Sequence, residues 1–216
     1  DLVGETGMST WLLWVASATI VIASLIALQQ DNLKRRLAYS TVSQLSYIVM
    51  GAILANSNAI LGATMHITMH AVGKITLFFC AGAILVASHK TRVSEMDGLG
   101  RRMPFTMAAF FVGAISVAGL PPLGGFWGKW HLALGSLDAG YSILVAVLMV
   151  STLLNIAYLI PIPLRAVFFK EPSQEHSGIK EAPAACLLAM GITALLSLAL
   201  FFYPEPIYQL AIELIN

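Results

Sequence analysis

Charged side chains are scarce in this sequence. Only 11% of its 216 residues are charged and 58% are hydrophobic, whereas a soluble domain averages about 25% charged residues. The net charge is +1, so the sequence offers no electrostatic surface for nucleic acid. This balance excludes an ordinary water-soluble domain and predicts an integral membrane protein that contacts lipid along most of its length.

Cysteine is also rare, and cofactor motifs are absent. Cys80 and Cys186 lie on different apolar segments, with neither metal-ligand spacing nor a disulfide pattern. No cysteine cluster or dinucleotide fingerprint occurs, so no cofactor, metal or catalytic site is predicted. The chain begins with Asp1 and has no signal-peptide pattern. We therefore expect a fragment of a longer protein.

Six apolar segments are long enough to form membrane-spanning helices, which need about 20 residues each. They cover approximately residues 11–29, 37–55, 59–88, 103–134, 141–169 and 182–203. The apolar–polar alternation of strands is absent, and a spanning segment has to satisfy its own backbone hydrogen bonds. The sequence therefore predicts an all-α transmembrane bundle of six helices, forming one domain over residues 1–216.

The basic residues indicate how the bundle is oriented. Ten of the twelve Lys and Arg residues follow the first, third or fifth span. They are Lys34, Arg35, Arg36, Lys90, Arg92, Arg101, Arg102, Arg165, Lys170 and Lys180. The positive-inside rule therefore predicts that these connections are cytoplasmic and that both termini lie outside.

The third span carries three titratable residues. His66, His70 and Lys74 recur at four-residue intervals, so they share one helix face and climb roughly 12 Å of membrane depth. Histidine and a desolvated lysine can both exchange protons near neutral pH. A lysine at the centre of a spanning helix costs about 2.5–3.5 kcal/mol to insert, which favours a proton path. A metal site on the two histidines and helix–helix hydrogen bonding are the alternatives.

The fourth span is interrupted before its lysine, Lys129. The interruption contains Gly119, Pro121, Pro122, Gly124 and Gly125. Prolines remove backbone donors and glycines weaken a helix, so we expect a discontinuous helix. Such breaks often mark the ion site of a transporter, and we expect this one to line a hydrated cavity that exposes Lys129. A plain proline kink and a lysine that snorkels to the surface are the alternatives.

Narrow polar stripes run along two further spans, and Thr68 adds a hydroxyl to the third. The stripe residues are Ser40, Ser43, Gln44 and Tyr47 on the second span, and Ser151, Asn155 and Tyr158 on the fifth. They recur at three- and four-residue intervals, so each set faces one way. Such stripes either line water between titratable groups or join neighbouring helices, and the sequence leaves both possibilities open.

Three ordered motifs cover residues 31–130. They are Asp31-Asn-Leu-Lys-Arg-Arg-Leu-Ala-Tyr-Ser-Thr-Val-Ser-Gln44, His66-x-x-x-His70-Ala-x-x-Lys74, and Gly119-Leu-Pro-Pro-Leu-Gly-Gly-Phe-Trp-Gly-Lys129-Trp. Together they resemble the antiporter-like membrane subunits of respiratory complex I and of Mrp-type cation/proton antiporters. The likeness is greatest to the D-type subunit of the multisubunit antiporters.

The resemblance carries expectations about architecture and function. It implies that the six helices are the second inverted repeat and the final helix of a fourteen-helix subunit, without the first repeat. It implies that Lys129, Lys74, His70 and His66 belong to a proton half-channel that faces the outside. It also implies transport of H⁺, with Na⁺ or K⁺ as the candidate exchanged cation, other membrane subunits as partners, and a bacterial plasma membrane as the location.

Two alternatives to an antiporter subunit stay open. The first is a proton-pumping membrane subunit of a complex I-like NADH:quinone oxidoreductase or of a membrane-bound hydrogenase. In that case the redox chemistry belongs to partner subunits, because this chain carries no redox motif. The second is a non-conducting assembly or anchor subunit, in which the polar groups serve packing alone.

Overall fold

The structure is a computed structural model that describes residues 8–169 and 178–213, and over these residues the chain forms nine α-helices. They are α1 (Met8–Gln29), α2 (Leu33–Leu54), α3 (Ser57–Ser88), α4 (Pro104–Ala118), α5 (Gly125–Asp138), α6 (Ser142–Leu159), α7 (Pro161–Phe168), α8 (Ala184–Phe202) and α9 (Glu205–Glu213). Both chain ends and Lys170 lie outside the described residues, so the predicted placement of the termini stays a prediction.

Five helical segments of the described chain are long and apolar enough to cross a membrane. The predicted span 103–134 differs from them, because it is divided into α4 and α5. Helix α4 has 15 residues, which extend about 22 Å, and the hydrocarbon core is about 30 Å thick. The expected all-α transmembrane fold with one discontinuous helix is confirmed.

Helix α3 is the central helix of the bundle and packs against α2, α4, α5, α8 and α9. Its crossing with α5 is unusually close, because glycines lie at the contact. A Cβ atom at Gly128 would lie 2.8 Å from Cα of His66, and one at Gly62 would lie 2.5 Å from the backbone nitrogen of Leu132. The helix that carries His66 and the helix that carries Lys129 are therefore in backbone contact.

At one end of the bundle, which we call the basic side, the connection 89–103 is tied to the start of α2. The backbone nitrogen of Leu33 donates to the Thr91 carbonyl (2.9 Å), and that of Val93 donates to the Asp31 carbonyl (2.7 Å). The Asp31 carboxylate accepts hydrogen bonds from the Ser94 amide (3.0 Å) and hydroxyl (2.8 Å). These bonds fix the connection across the end of α2.

A second tie on the basic side joins the same connection to α7. The Arg165 guanidinium donates two hydrogen bonds to the Asp97 carboxylate, at 3.0 and 2.7 Å. Arg36 instead turns inward, and its guanidinium donates to the carbonyls of Gln30 (2.7 Å) and Tyr158 (3.0 Å). The basic residues on this side thus include structural ones as well as solvent-facing ones.

Candidate functional site

The break in the fourth predicted span begins where α4 ends at Gly119. This glycine has φ +79°, a left-handed conformation that favours glycine at a helix C-terminus. Residues 119–124 are non-helical, and they include Pro121 and Pro122, whose shared peptide bond is cis. Helix α5 begins at Gly125. The last carbonyls of α4 are consequently left without partners in their own helix.

Lys129 supplies a donor to one of these carbonyls. Its Nζ donates to the Ala118 carbonyl at 2.8 Å and lies 3.4 Å from Oγ1 of Thr152. The negative end of the α4 dipole therefore faces the amine, an arrangement that stabilises a cation. The side chain is only 8% exposed, so Lys129 does not snorkel to the surface.

Aromatic rings connect Lys129 to the histidines of α3. The Lys129 Nζ lies 5.2 Å from the centroid of the Tyr47 ring. Tyr47 stacks on His66, and His66 stacks on His70, with a centroid distance of 5.4 Å in each pair. Both imidazoles are buried. The i, i+4 spacing predicted that the histidines share a face, and Tyr47 extends the row towards α5.

Lys74 lies one turn beyond His70 on the same face of α3. It is also buried, and its Nζ donates to the Leu37 carbonyl of α2 at 3.1 Å. We call the row Lys129, Tyr47, His66, His70 and Lys74 the lysine–histidine file. It joins the break between α4 and α5 to the first turns of α2.

The file contains cations and imidazoles but no negative counterpart. Within residues 8–169 and 178–213, neither lysine forms an ion pair with a carboxylate. In the same ranges the four imidazole nitrogens, the Tyr47 hydroxyl and the Gln44 amide are buried without a hydrogen-bond partner. Leaving a buried polar group unsatisfied costs about 1–3 kcal/mol, so such a cluster is typical of a functional site rather than of a packing core.

The two histidines do not gain further metal ligands from the fold. No group of three or more His, Cys, Asp or Glu side chains converges among the residues whose positions are described. His131 is half-buried and lies near Tyr208, at a ring distance of 6.2 Å. The alternative of a metal site on His66 and His70 therefore receives no additional support.

The polar stripes of α2 and α6 face each other. The Tyr158 hydroxyl donates to Oδ1 of Asn155, and it also lies 2.9 Å from Oγ of Ser40, whose own hydroxyl can donate to it. Oγ of Ser43 lies 3.4 Å from Oγ of Ser151. The two stripes thus meet in one polar layer beside the file.

Thr68 does not join this site. It is exposed, whereas His66 and His70 on the same helix are buried. The two-residue offset from each histidine rotates Thr68 by about 200° around a helix of 3.6 residues per turn. Its assignment as a residue lining the path is corrected accordingly.

Sequence reasoning missed two participants, namely Ser24 and Thr152. The Ser24 hydroxyl contacts Ser43 and Ser151, and Thr152 contacts Lys129. A signal for Ser24 was available, because Ser17 and Ser24 are seven residues apart on α1 and so share a face. Thr152 adjoins Ser151 but carries no pattern of its own.

A groove of about 490 Å³ lies beside Lys129, between α5 and α6. Its walls are mainly apolar and include Leu120, Phe126, Leu148 and Met149, with Lys129 and Thr152 as polar members. The sequence predicted a hydrated cavity here. The break leaves an opening, but the side chains around it are largely those of a lipid-facing or protein-facing surface.

Comparison with known proteins yields a family match over most of the chain. The family described as "NADH:quinone oxidoreductase/Mrp antiporter, TM" matches residues 3–155. The chain is 46% identical over 145 residues to the N-type subunit of the NADH-quinone oxidoreductase of Desulforudis audaxviator, covering 67% of this chain and 29% of that protein. It is 32% identical over 204 residues to the D-type subunit of the Na(+)/H(+) antiporter of Alkalihalophilus pseudofirmus, covering 94% and 41%.

Solved structures show the same fold. The membrane-bound sulfane sulfur reductase, an archaeal respiratory membrane complex, contains a chain with a TM-score of 0.81 and 30% identity, covering 89% of this chain and 32% of that chain. The Mrp complex from Dietzia sp. contains one with a TM-score of 0.80 and 25% identity, covering 95% and 47%.

This chain spans less than half the length of each of these relatives. The family match nevertheless includes all three sequence motifs, because they lie within residues 31–130. The resemblance inferred from the motifs is confirmed, and the chain belongs to the NADH:quinone oxidoreductase/Mrp antiporter transmembrane family.

Proposed function

We propose that this chain is a proton-conducting part of a multisubunit monovalent cation/proton antiporter. One observation carries the proposal. The lysine–histidine file places two lysines and two histidines in one buried row. Its lysines bond to carbonyl or hydroxyl oxygens and, among the described residues, not to carboxylates.

This lack of carboxylate partners is the physical reason for assigning mobile protons to the file. A buried ammonium without a counterion is costly, because carbonyl dipoles replace only part of its hydration. That cost disappears when the proton leaves, so each lysine is suited to transient rather than permanent charge. A purely structural anchor gains nothing from two such groups, which apolar residues of similar volume would replace at lower cost.

The imidazoles between the lysines can pass a proton without a net change of state. A neutral imidazole accepts a proton at one nitrogen and releases the proton held on the other. Water molecules extend the reach between successive groups, because a bridging water makes hydrogen bonds nearly as favourable as direct ones. A proton that leaves Lys129 therefore has acceptors at His66 and His70 before it reaches Lys74.

A second candidate function is proton pumping driven by redox chemistry in partner subunits. The 46% identity to the N-type subunit of an NADH-quinone oxidoreductase favours this candidate. The file serves equally in either complex, because it holds only proton-exchanging groups. The two candidates differ in what drives the protons, not in the residues that conduct them.

The proposal is tested by Lys129→Ala and Lys74→Ala in the whole complex, reconstituted in vesicles with a pH-sensitive dye. We expect each substitution to lower the proton flux at least tenfold, because each removes one terminus of the file. Lys34→Ala is the matched control, since Lys34 is an exposed lysine outside the file. Normal flux in both variants, with assembly verified by native electrophoresis, would contradict the proposal.

The same vesicles separate the two candidates. If an imposed Na⁺ or K⁺ gradient drives the dye response, the antiporter assignment is supported. If the response instead requires NADH and a quinone, the redox-driven candidate is supported and the antiporter assignment is wrong.

A further inference from the structure

Three serine hydroxyls from three helices meet beside the lysine–histidine file. Ser24 of α1, Ser43 of α2 and Ser151 of α6 are each fully buried. The Oγ atoms of Ser24 and Ser43 are 2.8 Å apart, those of Ser24 and Ser151 are 3.0 Å apart, and those of Ser43 and Ser151 are 3.4 Å apart. We call these residues the serine cluster.

The carbonyl oxygen of Ile20, next to the serine cluster, faces more hydrogen-bond donors than it has lone pairs. The Ile20 carbonyl lies 2.8 Å from Oγ of Ser24 and 2.9 Å from Oγ of Ser43, and the helical backbone also directs the Ser24 amide towards it. A carbonyl oxygen has two lone pairs. At least one hydroxyl proton is therefore better directed at another hydroxyl, so the cluster has more than one arrangement of its protons. A network whose bond directions can reverse has the property that a moving proton requires.

Ordinary structural serines in this chain behave differently. Ser17 and Ser136 each donate to the carbonyl four residues earlier, at 2.8 Å in both cases, and the structure gives them no hydroxyl partner within its described residues. Ser24 makes the same bond within its helix, but its hydroxyl also contacts two others from different helices. Bonding to the backbone of its own helix therefore does not account for the contacts that the Ser24 hydroxyl makes with the other two hydroxyls.

The serine cluster is connected to Lys129 on one side. The Tyr47 hydroxyl makes no direct hydrogen bond within the described residues, but the side chains of Ser151 and Thr152 are near enough to interact with it, so that a water molecule can bridge them. Oγ1 of Thr152 is 3.4 Å from Nζ of Lys129. The Tyr47 ring meanwhile stacks on His66. Tyr47 is thus a branch point, with its ring against the histidines and its hydroxyl towards the serines.

On its other side the cluster leads towards Lys74. The side chains of Ser24 and Tyr158 are near enough to interact, although no direct hydrogen bond joins them, and the Tyr158 hydroxyl lies 2.9 Å from Oγ of Ser40. Ser40 is three residues from Leu37, whose carbonyl accepts from Nζ of Lys74, so the two sites are about one helical turn apart. The hydroxyls therefore extend from one end of the file to the other without either histidine, with gaps that single water molecules can bridge.

We propose that these hydroxyls form a second proton route between Lys129 and Lys74, parallel to His66 and His70. The inference rests on the proposed function, because it assumes that protons move between the two lysines. The hydroxyl route runs through Thr152, Tyr47, Ser151, Ser24 or Ser43, Tyr158 and Ser40.

The proton balance of the hydroxyl route is simple. The Lys129 ammonium gives one proton to the first hydroxyl oxygen as that hydroxyl passes its own proton onward. Each hydroxyl gains one proton and gives one. Water molecules carry the proton where no direct hydrogen bond exists, which is on either side of the Tyr47 hydroxyl, between Ser24 and Tyr158, and from Ser40 to the Lys74 amine. Lys129 is left neutral, Lys74 becomes an ammonium, and no electron moves. Rotation of the hydroxyls restores the starting arrangement.

The test combines changes in both routes in the complete complex, reconstituted in vesicles as above. We expect Ser24→Ala with Ser151→Ala to lower proton flux only in part, and His70→Leu to do the same, because the route left intact still conducts. The fluxes that remain after the two separate changes should together equal about the full flux. Because parallel routes compensate for one another, the triple variant should lose more than the product of these separate losses. Ser17→Ala is the matched control, since it lies on the same helix, makes the same backbone bond and is outside the route.

Tyr47→Phe tests the route without altering the serines. It keeps a ring that stacks on His66 but removes the hydroxyl. We expect Tyr47→Phe to lower proton flux as much as the double serine change does, and to cause no further loss when it is combined with that change. Combined with His70→Leu, it should lower flux by more than the product of the two separate losses.

The hydroxyl route is overturned if the serine variants transport like Ser17→Ala both alone and with His70→Leu, or if the combined losses are only multiplicative. If Lys129→Ala and Lys74→Ala still abolish flux in that case, the proposed function stands and the second route alone fails. If the lysine variants also transport normally, the proposed function fails with it.

Discussion

The position of Lys129 depends on a single glycine at the end of α4. Gly119 has φ +79°, and a Cβ atom there would lie 2.6 Å from Cδ of Lys129. A side chain at this position would therefore be strained in its backbone and would also push the lysine away from the Ala118 carbonyl. The position of the Lys129 side chain therefore depends on the absence of a Cβ atom at residue 119.

This predicts that Gly119→Ala lowers proton flux severalfold and destabilises the protein by about 1–2 kcal/mol through the left-handed backbone alone. Gly140→Ala is the matched control, because Gly140 has φ +77° and open space around its Cα. Both variants should lose similar thermal stability in detergent, and only Gly119→Ala should lose transport. Equal transport by the two variants would show that the contact with Lys129 is unimportant.

The sequence predicted that His66, His70 and Lys74 share one face of α3, but not what they contact, and it wrongly placed Thr68 with them. The spacing of His66, His70 and Lys74 determines their common face whatever surrounds the helix. The oxygens that meet the lysines belong to Ala118, Leu37 and Thr152. Two of these are backbone carbonyls, which carry no signal in a sequence, and their positions depend on how the helices pack.

At the scale of elements, the α3–α5 crossing holds the site together. The break gives α5 a direction that an unbroken helix would not have, and Gly128 lets its backbone reach that of His66. The motif of prolines and glycines predicted the break itself. The closeness of the crossing was not predictable, because glycine in an apolar span signals either flexibility or a close approach.

The crossing yields a prediction about stability. Gly128→Ala places a methyl group 2.8 Å from Cα of His66, and backbone atoms cannot move aside as a flexible side chain can. We expect a loss of about 1–3 kcal/mol, typical of overpacking, together with reduced flux. Gly191→Ala on α8 meets nothing within 4 Å and should be neutral. Thermal unfolding in detergent compares the two, and an equal melting temperature would contradict the packing described.

At the scale of the whole molecule, the Asp31 carboxylate ties the connection 89–103 to the basic side of the bundle. Burial by itself would raise the pKa of Asp31, but the hydrogen bonds from Ser94 and the charges of Arg92 and Arg36 outweigh it and hold that pKa below its usual value. A depressed carboxyl pKa adds stability above the unfolded value of about 3.9. That stability is lost as the pH falls through the folded pKa.

We therefore expect the Ser94 amide to lose protection from hydrogen exchange as the pH falls below about 4. The Val93 amide should keep its protection, because it bonds to the Asp31 backbone carbonyl rather than to the carboxylate. In Asp31→Asn the difference between acidic and neutral pH should be much smaller. Ser94 protection that is independent of pH in the unsubstituted protein would refute this account.

Helix α8 buries only Met190 and Ser197 among its residues, yet it holds the broken segment directly. The Gly124 amide donates to the Ser197 carbonyl at 2.9 Å, and the Trp127 indole donates to the Phe201 carbonyl at 3.0 Å. Both acceptors are backbone atoms, so they move only when the helix moves. A displacement of α8 along its axis by more than a few tenths of an ångström must either stretch these two bonds or pull on the segment just before Lys129. Two hydrogen bonds thus couple a mostly exposed helix to the segment that precedes Lys129, so that a shift of α8 would be transmitted to the position of this buried lysine.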